Sequence, residues 1–202
     1  MTKRVRTAVL ISGRGSNMMA LIEAARHKDF PAEIVLVLSD EPRAAGIKAA
    51  QAAGVAALPL DYRKFCGKAE FETTVTGALV AARAELICLA GFMRILSPAF
   101  VERWRGRILN IHPSLLPDLR GLDTHERALA EGRAEHGCTV HFVTAELDAG
   151  PIVAQARVPV LPGDDAGLLA ARVLVEEHRI YPQALDAVAR AVLAARASAD
   201  RD

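Results

Sequence analysis

Apolar residues along this chain come in short continuous runs separated by Ala-rich segments of helical composition. Thr7-Ala8-Val9-Leu10-Ile11 is the first run and reads as a strand. Ser12-Gly13-Arg14-Gly15-Ser16-Asn17 breaks it, and residues 18–26 then have helix-forming composition, with Ser16 or Asn17 as the expected cap. Residues 34–39 form a second run, unbroken as in a parallel strand buried on both faces. Residues 44–53 read as a helix closed by Gly54, and residues 55–60 as a third strand. After a polar connection over 61–68 the pattern predicts a helix over 69–84, then a fourth strand over 85–90 that stops at Gly91. Ser97-Pro98 starts a helix with its cap and first-turn proline, running to Trp104, and residues 107–111 are the fifth strand.

The second half changes character. Residues 113–123 make a long loop with Pro113, Pro117 and Gly121, and residues 124–131 are helical. Thr139-Val140-His141-Phe142-Val143 and residues 152–160 read as two antiparallel strands joined through 146–151. Asp164-Asp165 opens a helix reaching at least residue 177. A last Ala-rich helix follows Tyr181-Pro182 to about residue 195, and residues 198–202 form a polar tail. Strands alternating with helices predict an α/β fold, a largely parallel twisted sheet with helices on both faces, Rossmann-like, with an antiparallel extension in the C-terminal half. No repeat, low-complexity segment or linker divides the chain, so residues 1–202 are expected to form a single domain.

Composition changes this picture little. Of 202 residues, 51% are hydrophobic and 24% charged, ordinary for a globular chain with a real core. The formal net charge is +1, so no overall field favours nucleic acid or an acidic membrane. No apolar run reaches the roughly eighteen residues that a membrane span needs. The basic start over residues 1–6 leads into an apolar run that the glycine loop cuts, the pattern of a first strand and not of a signal peptide. Cys66, Cys88 and Cys138 are odd in number and lack ligand-like spacing, which suggests a reducing cytosol without disulfides or structural zinc.

Three places carry candidate chemistry. Strand, glycine loop and helix over residues 7–26 aim free backbone N–H groups at an anion. The loop lacks both the Gly-Lys-Ser/Thr of a Walker loop and a full dinucleotide fingerprint, so a monophosphate is the favoured ligand; a tight turn without ligand is the alternative. Arg107-Ile108-Leu109-Asn110-Ile111-His112-Pro113-Ser114-Leu115-Leu116-Pro117 delivers Asn110 and His112 two positions apart, on one face of a strand. Leu147-Asp148-Ala149-Gly150-Pro151 offers a carboxylate in a turn. An Asn, a His and an Asp at strand ends suit general acid–base catalysis on a carbonyl. Ligands of parallel sheets sit outside the carboxyl ends of strands, where residues 13–17, 91–94 and 110–112 would all lie. Taken singly, Asn110 is strand-end packing, His112 a turn residue and Asp148 an ordinary turn aspartate. His141, mid-strand, is placed near the site as support, with a hydrogen-bonded core histidine as the alternative. Cys138 reads as a buried inert thiol, and Arg103, Arg105 and Arg107 as a solvated face. His125, His136 and His178 carry no separate chemical signal.

Several stretches together resemble the folate-dependent phosphoribosylglycinamide formyltransferases, within the formyl-transferase family. They are Ile11-Ser12-Gly13-Arg14-Gly15-Ser16-Asn17, Leu89-Ala90-Gly91-Phe92-Met93-Arg94-Ile95-Leu96-Ser97-Pro98, Asn110-Ile111-His112-Pro113-Ser114-Leu115-Leu116-Pro117, and His136-Gly137-Cys138-Thr139-Val140-His141-Phe142-Val143 through Glu146-Leu147-Asp148-Ala149-Gly150-Pro151. The resemblance runs from about Val9 to Pro182. It implies a cytoplasmic enzyme of purine (IMP) synthesis that moves a formyl group from 10-formyltetrahydrofolate to the amine of glycinamide ribonucleotide. By that resemblance Asn110 would donate to the oxyanion, His112 would shuttle protons and Asp148 would orient it. Gly15, Ser16 and Asn17 would hold the ribonucleotide phosphate, and Glu177 the glycinamide end. Lys68, Met93, Arg94, Ile95, Leu96, Asn110, Thr144, Ala145, Glu146, Leu147 and Asp148 would frame the folate.

The resemblance further divides the domain into a substrate-binding half, 1–112, and a folate-binding and catalytic half, 113–202. No metal, nucleic acid or membrane is implied, and a homodimer is left open. Lys68 stands where relatives often carry an arginine, and it lacks the planar fork that grips a carboxylate twice. Asp118-Leu119-Arg120-Gly121 replaces the lysine and proline frequent in this branch and is similar to the methionyl-tRNA branch. A methionyl-tRNA formyltransferase is expected to add a C-terminal domain and a basic surface. A formyltetrahydrofolate hydrolase is expected to add an N-terminal regulatory domain, whereas the first strand here begins within ten residues of Met1. A non-catalytic module of the same fold, binding a phosphorylated metabolite, is expected to lose Asn110, His112 or Asp148. The loop 113–123 is expected to be the most mobile part of the ligand-free protein.

Overall fold

The structure, a computed structural model describing residues 4–199, sets the apolar runs side by side in one sheet. Strands β1 (Val5–Ile11), β2 (Ala32–Ser39), β3 (Ala57–Pro59), β4 (Leu86–Leu89) and β5 (Ile108–His112) are parallel. Strands β6 (Glu135–Phe142) and β7 (Ile152–Pro159) continue the sheet antiparallel, giving the order β3-β2-β1-β4-β5-β6-β7. The helices are α1 (Ser16–Ala25), α2 (Ala45–Ala52), α3 (Lys68–Ala81), α4 (Pro98–Arg103), α5 (Thr124–Ala130) and α6 (Ala166–Ala199), with a short 3₁₀ turn over Tyr62–Lys64.

The two-residue period of a strand explains the layering. Along β1, Val5, Val9 and Ile11 enter one core and Ala8 and Leu10 the other, so both faces need cover. Residues of α1, α2, α5 and α6 close the first core, and residues of α3 and α4 the second. β1 lies between β2 and β4, so the chain leaves β1 and β4 toward opposite faces. Such a switch point opens a crevice at the carboxyl edge.

Several boundaries differ from the sequence expectation. Helix α1 starts at Ser16 with Gly15 as its cap at φ 77°, and no side chain caps it. Glycine takes that left-handed conformation without strain, which frees Ser16 and Asn17 for the helix itself. Strand β3 is confined to Ala57–Pro59. β6 begins at Glu135, earlier than Thr139, because residues 135–138 pair with β7, and Gly137 lets the strands approach. A Cβ there would lie 2.0 Å from the Ala156 carbonyl oxygen.

The two C-terminal helices are one. Helix α6 continues through Pro182 and Ser198, so the expected break and the start of the polar tail are corrected; residues 200–202 lie outside the described residues. A proline inside a helix costs about 3 kcal/mol. Leu169, Val173, Ile180, Tyr181, Leu185 and Ala189 form one buried stripe across it, and each large apolar side chain contributes about 1.5–3 kcal/mol. The stripe outweighs the proline.

Candidate active site

β5 ends in the crevice and carries Asn110 and His112 to it. Across the antiparallel pair Asn110 faces His141 of β6. The His141 Nδ1–H donates to the Phe142 carbonyl oxygen at 2.9 Å, which leaves Nε2 as acceptor for the Asn110 amide at 3.2 Å. Burial lowers the His141 pKa below its ordinary value, in keeping with a neutral ring. His112 is 5% exposed; its Nε2–H donates to the Leu119 carbonyl oxygen at 3.0 Å, and Nδ1 lies 3.4 Å from Asp148 Oδ2. Asp148 Oδ1 is 3.7 Å from His141 Nε2. One carboxylate therefore lies within 4 Å of both imidazoles, and it can pair only with the one that is protonated toward it.

The turn that presents Asp148 is built around glycine. Asp148 sits in the left-handed region at φ 49°, a conformation aspartate tolerates better than most residues. Two residues on, a Cβ at Gly150 would lie 1.8 Å from the Phe142 carbonyl oxygen. The Gly121 N–H donates to Asp148 Oδ2 at 3.0 Å and ties the turn to the loop opposite.

That loop, residues 113–123, is strapped down along its length. Thr139 Oγ1–H donates to the Ser114 carbonyl oxygen and accepts from the Leu116 N–H and from Gln155 Nε2. Gln155 also donates to the Leu116 carbonyl oxygen, Thr124 Oγ1 donates to that of Pro113, and Arg120 pairs with Glu146 at 2.6 Å. Leu116 and Leu119 are buried. A segment held at both polar and apolar positions is anchored at several points, and mobility of the loop would have to set in between those anchors, at its exposed residues 117, 118, 120, 122 and 123.

The start of α1 and the middle of α6 form the other wall. Gly15 approaches Gly46 of α2, whose N–H donates to the Gly13 carbonyl oxygen; a Cβ on Gly15 would lie 3.0 Å from Gly46 Cα. The first-turn N–H groups of α1 carry no side-chain cap, so they are open to an anion. Asn17 Nδ2 donates to Glu177 Oε2 at 2.6 Å, joining residues 160 apart, and Asn17 Oδ1 is buried without a partner among the described residues. Burial pushes the Glu177 pKa up and the Asn17 hydrogen bond opposes it. Cys138 is fully buried and its thiol is pushed up to about 12, chiefly by burial and next by Glu177, in line with an inert thiol.

The remaining expected residues divide. Met93 and Ile95, each 65% exposed, and Leu147, 51% exposed, stand at the rim beside half-buried Leu96, with Thr144, Ala145 and Glu146 in the turn before Asp148. Arg94 is turned away into Asp40, with Nε 2.6 Å from Oδ2. Lys68 is exposed at the first residue of α3, joined to the site through that helix's packing with Phe92 and Leu96. Sequence reasoning missed Asp40, Gly46, Thr139 and Tyr181, whose hydroxyl lies 3.0 Å from the Leu89 and 3.2 Å from the Leu109 carbonyl oxygens. Thr139 lies in a recognised stretch that assigns it no role of its own, and the other three stand in no recognisable spacing. A cleft of about 660 Å³ lined by Arg6, Arg83, Glu85, Trp104 and Arg107 lies at the opposite, amino edge of the strands. There Arg6 and Arg107 bond carbonyl oxygens at the ends of α3 and α4. Among the described residues no cluster of three His, Cys, Asp or Glu side chains could hold a metal.

Residues 5–185 match the profile of the family described as Formyl transferase. The chain is 48% identical over 185 residues to the trifunctional purine biosynthetic protein adenosine-3 of Drosophila melanogaster, covering 91% of this chain and 14% of that protein. It thus spans a small part of the trifunctional relatives. To the phosphoribosylglycinamide formyltransferase of Escherichia coli it is 46% identical over 174 residues, 86% of this chain and 82% of that one. The crystal structure of phosphoribosylglycinamide formyltransferase from Brucella melitensis superposes with a TM-score of 0.89 at 54% identity, covering 93% of this chain and 96% of that one.

Proposed function

The chain belongs to the formyl transferase family, and on that premise we propose that it moves the formyl group of 10-formyltetrahydrofolate to the amine of N1-(5-phospho-D-ribosyl)glycinamide, in purine synthesis in a reducing cytoplasm. The observation that carries the reading is the meeting of Asn110, His112, His141 and Asp148 through contacts of 3.2–3.7 Å at the carboxyl end of β5. A module that only bound its ligand would have no use for an amide, an imidazole and a carboxylate linked in this way.

The residues fit both substrates. The uncapped first turn of α1, with Gly15, Ser16 and Asn17, suits a phosphate, and Glu177 suits the glycinamide end. Exposed Met93, Ile95 and Leu147 give a flat ring an apolar rim, with Asp148 and Asn110 offering polar contacts beside it. When bound, the folate supplies the one-carbon unit at the formyl oxidation level.

Asn110 gives one amide hydrogen to His141 and keeps the other for the formyl oxygen, where charge develops as the amine attacks. A preorganised donor of that kind contributes about a hundredfold to a thousandfold to turnover. His112 holds the proton in transit from the attacking amine to the departing nitrogen, a task an imidazole performs near neutral pH. Asp148 fixes the ring and compensates its charge while it is protonated. Glu177 and Asn17 set the amine end, so that attack starts from a held geometry.

The test is consumption of 10-formyltetrahydrofolate followed by absorbance, with and without the ribonucleotide, and the product weighed by mass spectrometry. Consumption only with the ribonucleotide, matched by formylated product, is expected. Consumption with water alone would make the protein a hydrolase, and binding without consumption would make it a non-catalytic module.

A further inference from the structure

The geometry points to Asp40 as a positioning residue for the rim that takes the formyl donor, acting through Arg94. The inference rests on the formyl-transfer reading and goes beyond it to what shapes the donor's seat. Residues 91–96 have no regular secondary structure, so no strand ladder or helix fixes the path of Met93 and Ile95. The ends of the segment are tied by side chains: the Met93 N–H donates to Ser12 Oγ at 2.9 Å, and the Ser97 N–H donates to Glu72 Oε1 at 2.7 Å. Between them half-buried Leu96 packs against the core, and the one polar side-chain anchor among the described residues is Arg94.

Arg94 is gripped twice. Its Nε–H donates to Asp40 Oδ2 at 2.6 Å, and its guanidinium carbon lies 3.5 Å over the centre of the Tyr62 ring. Both grips are rooted. Asp40 follows the last residue of β2 and is 6% exposed. The Tyr62 N–H donates to the Asp40 carbonyl oxygen at 3.3 Å, and its ring packs edge-on against Phe71 of the core at 5.1 Å. The rim is thereby referenced to the sheet.

Stability does not account for this arrangement. Asp40 Oδ1 is buried with no hydrogen-bond partner among the described residues, and an ion pair whose arginine is 39% exposed and whose carboxylate has one oxygen unsatisfied adds little net stability. Its physical yield is placement: it holds Arg94 inward, so that the residues on either side of it, Met93 and Ile95, face outward.

Asp40→Ala removes the anchor, and Asp40→Asn keeps an acceptor for Arg94 Nε. Calorimetry with tetrahydrofolate and steady-state kinetics are the readouts. For Asp40→Ala we expect about tenfold weaker tetrahydrofolate binding and a KM for 10-formyltetrahydrofolate raised by the same factor. The KM for the ribonucleotide and kcat should stay within about twofold, since Asp40 touches neither the α1 wall nor Asn110, and Asp40→Asn should recover most of the loss. Tyr62→Leu, which leaves the ion pair, should weaken folate binding about threefold and serves if Asp40→Ala does not fold. Unchanged folate affinity in the folded variants, or a loss shared equally by both substrates, would overturn the inference while leaving formyl transfer intact. Wild-type protein that binds no tetrahydrofolate would overturn both.

Discussion

Asn110 illustrates how little of a side chain's chemistry is its own. Its amide is aimed by His141, whose ring is in turn committed to the Phe142 carbonyl oxygen. Replacing His141 with Phe keeps the bulk and removes the acceptor. A misplacement of about 1 Å at a reacting centre can cost about a hundredfold, and His141→Phe should lower kcat by up to that factor. Wild-type kcat in that variant would show that Asn110 is aimed by something else. His112→Ala should lose nearly all turnover yet bind the ribonucleotide normally by calorimetry, because the wall formed by α1 and Glu177 is built without it. Turnover near wild type would remove His112 from the chemistry. Asn110, His112 and Asp148 were legible because each sits at a strand end or turn in a recognisable string. Gly46 was not: in an Ala-rich helix a glycine reads as neutral. Only the fold shows that a Cβ there would lie 2.4 Å from Ile11 Cδ1 and 3.1 Å from the Gly13 carbonyl oxygen.

Elements were legible to the extent that local pattern decided them. The apolar runs became strands because burial on both faces of a parallel sheet demands unbroken apolarity, and this holds before any partner is known. Helix ends were harder. At α1 the sequence offers Ser16 and Asn17 as caps, yet Gly15 adopts φ 77° against Gly46, a contact between elements far apart in the chain. At α6 the local signal of Pro182 was overridden by a stripe of tertiary contacts invisible to it, including Tyr181 on the carbonyl oxygens of β4 and β5. If the helix tolerates Pro182 and does not require it, Pro182→Ala should restore the backbone hydrogen bond. Part of the gain is lost to a more flexible unfolded chain, leaving about 1 kcal/mol and a rise in Tm of roughly 2–4 °C. A lower Tm would mean that the ring's packing, and not the stripe alone, holds α6 in place.

For the molecule as a whole, a net charge of +1 leaves no long-range field to govern stability, so pH acts through particular buried groups. Four histidines, His125, His136, His141 and His178, have pKa values lowered below the ordinary 6.5, chiefly by burial in each case. His136 is the extreme. It is 1% exposed, its Nε2 lies 3.1 Å from His125 Nδ1, and its pKa is lowered to about 4. Beyond burial, positive charge on His125, Arg133 and His112 opposes its protonation, and a hydrogen bond with the Pro113 backbone works the other way. In the unfolded chain His136 takes a proton as pH falls through about 6.5, whereas in the folded protein it resists until about 4. Between those values the unfolded state binds more protons, so acid favours unfolding. The stability that the neutral buried rings contribute should be complete above about pH 6.5 and be lost progressively toward pH 4. Between pH 7 and pH 5 the loss should be on the order of 1–3 kcal/mol from these histidines together, read as a shift in urea midpoint. His136→Asn should lower stability at pH 7 but flatten the slope between pH 7 and 5. An equal slope in wild type and variant would place the acid sensitivity in the other histidines, and no slope at all would mean that the buried rings gain protons without cost.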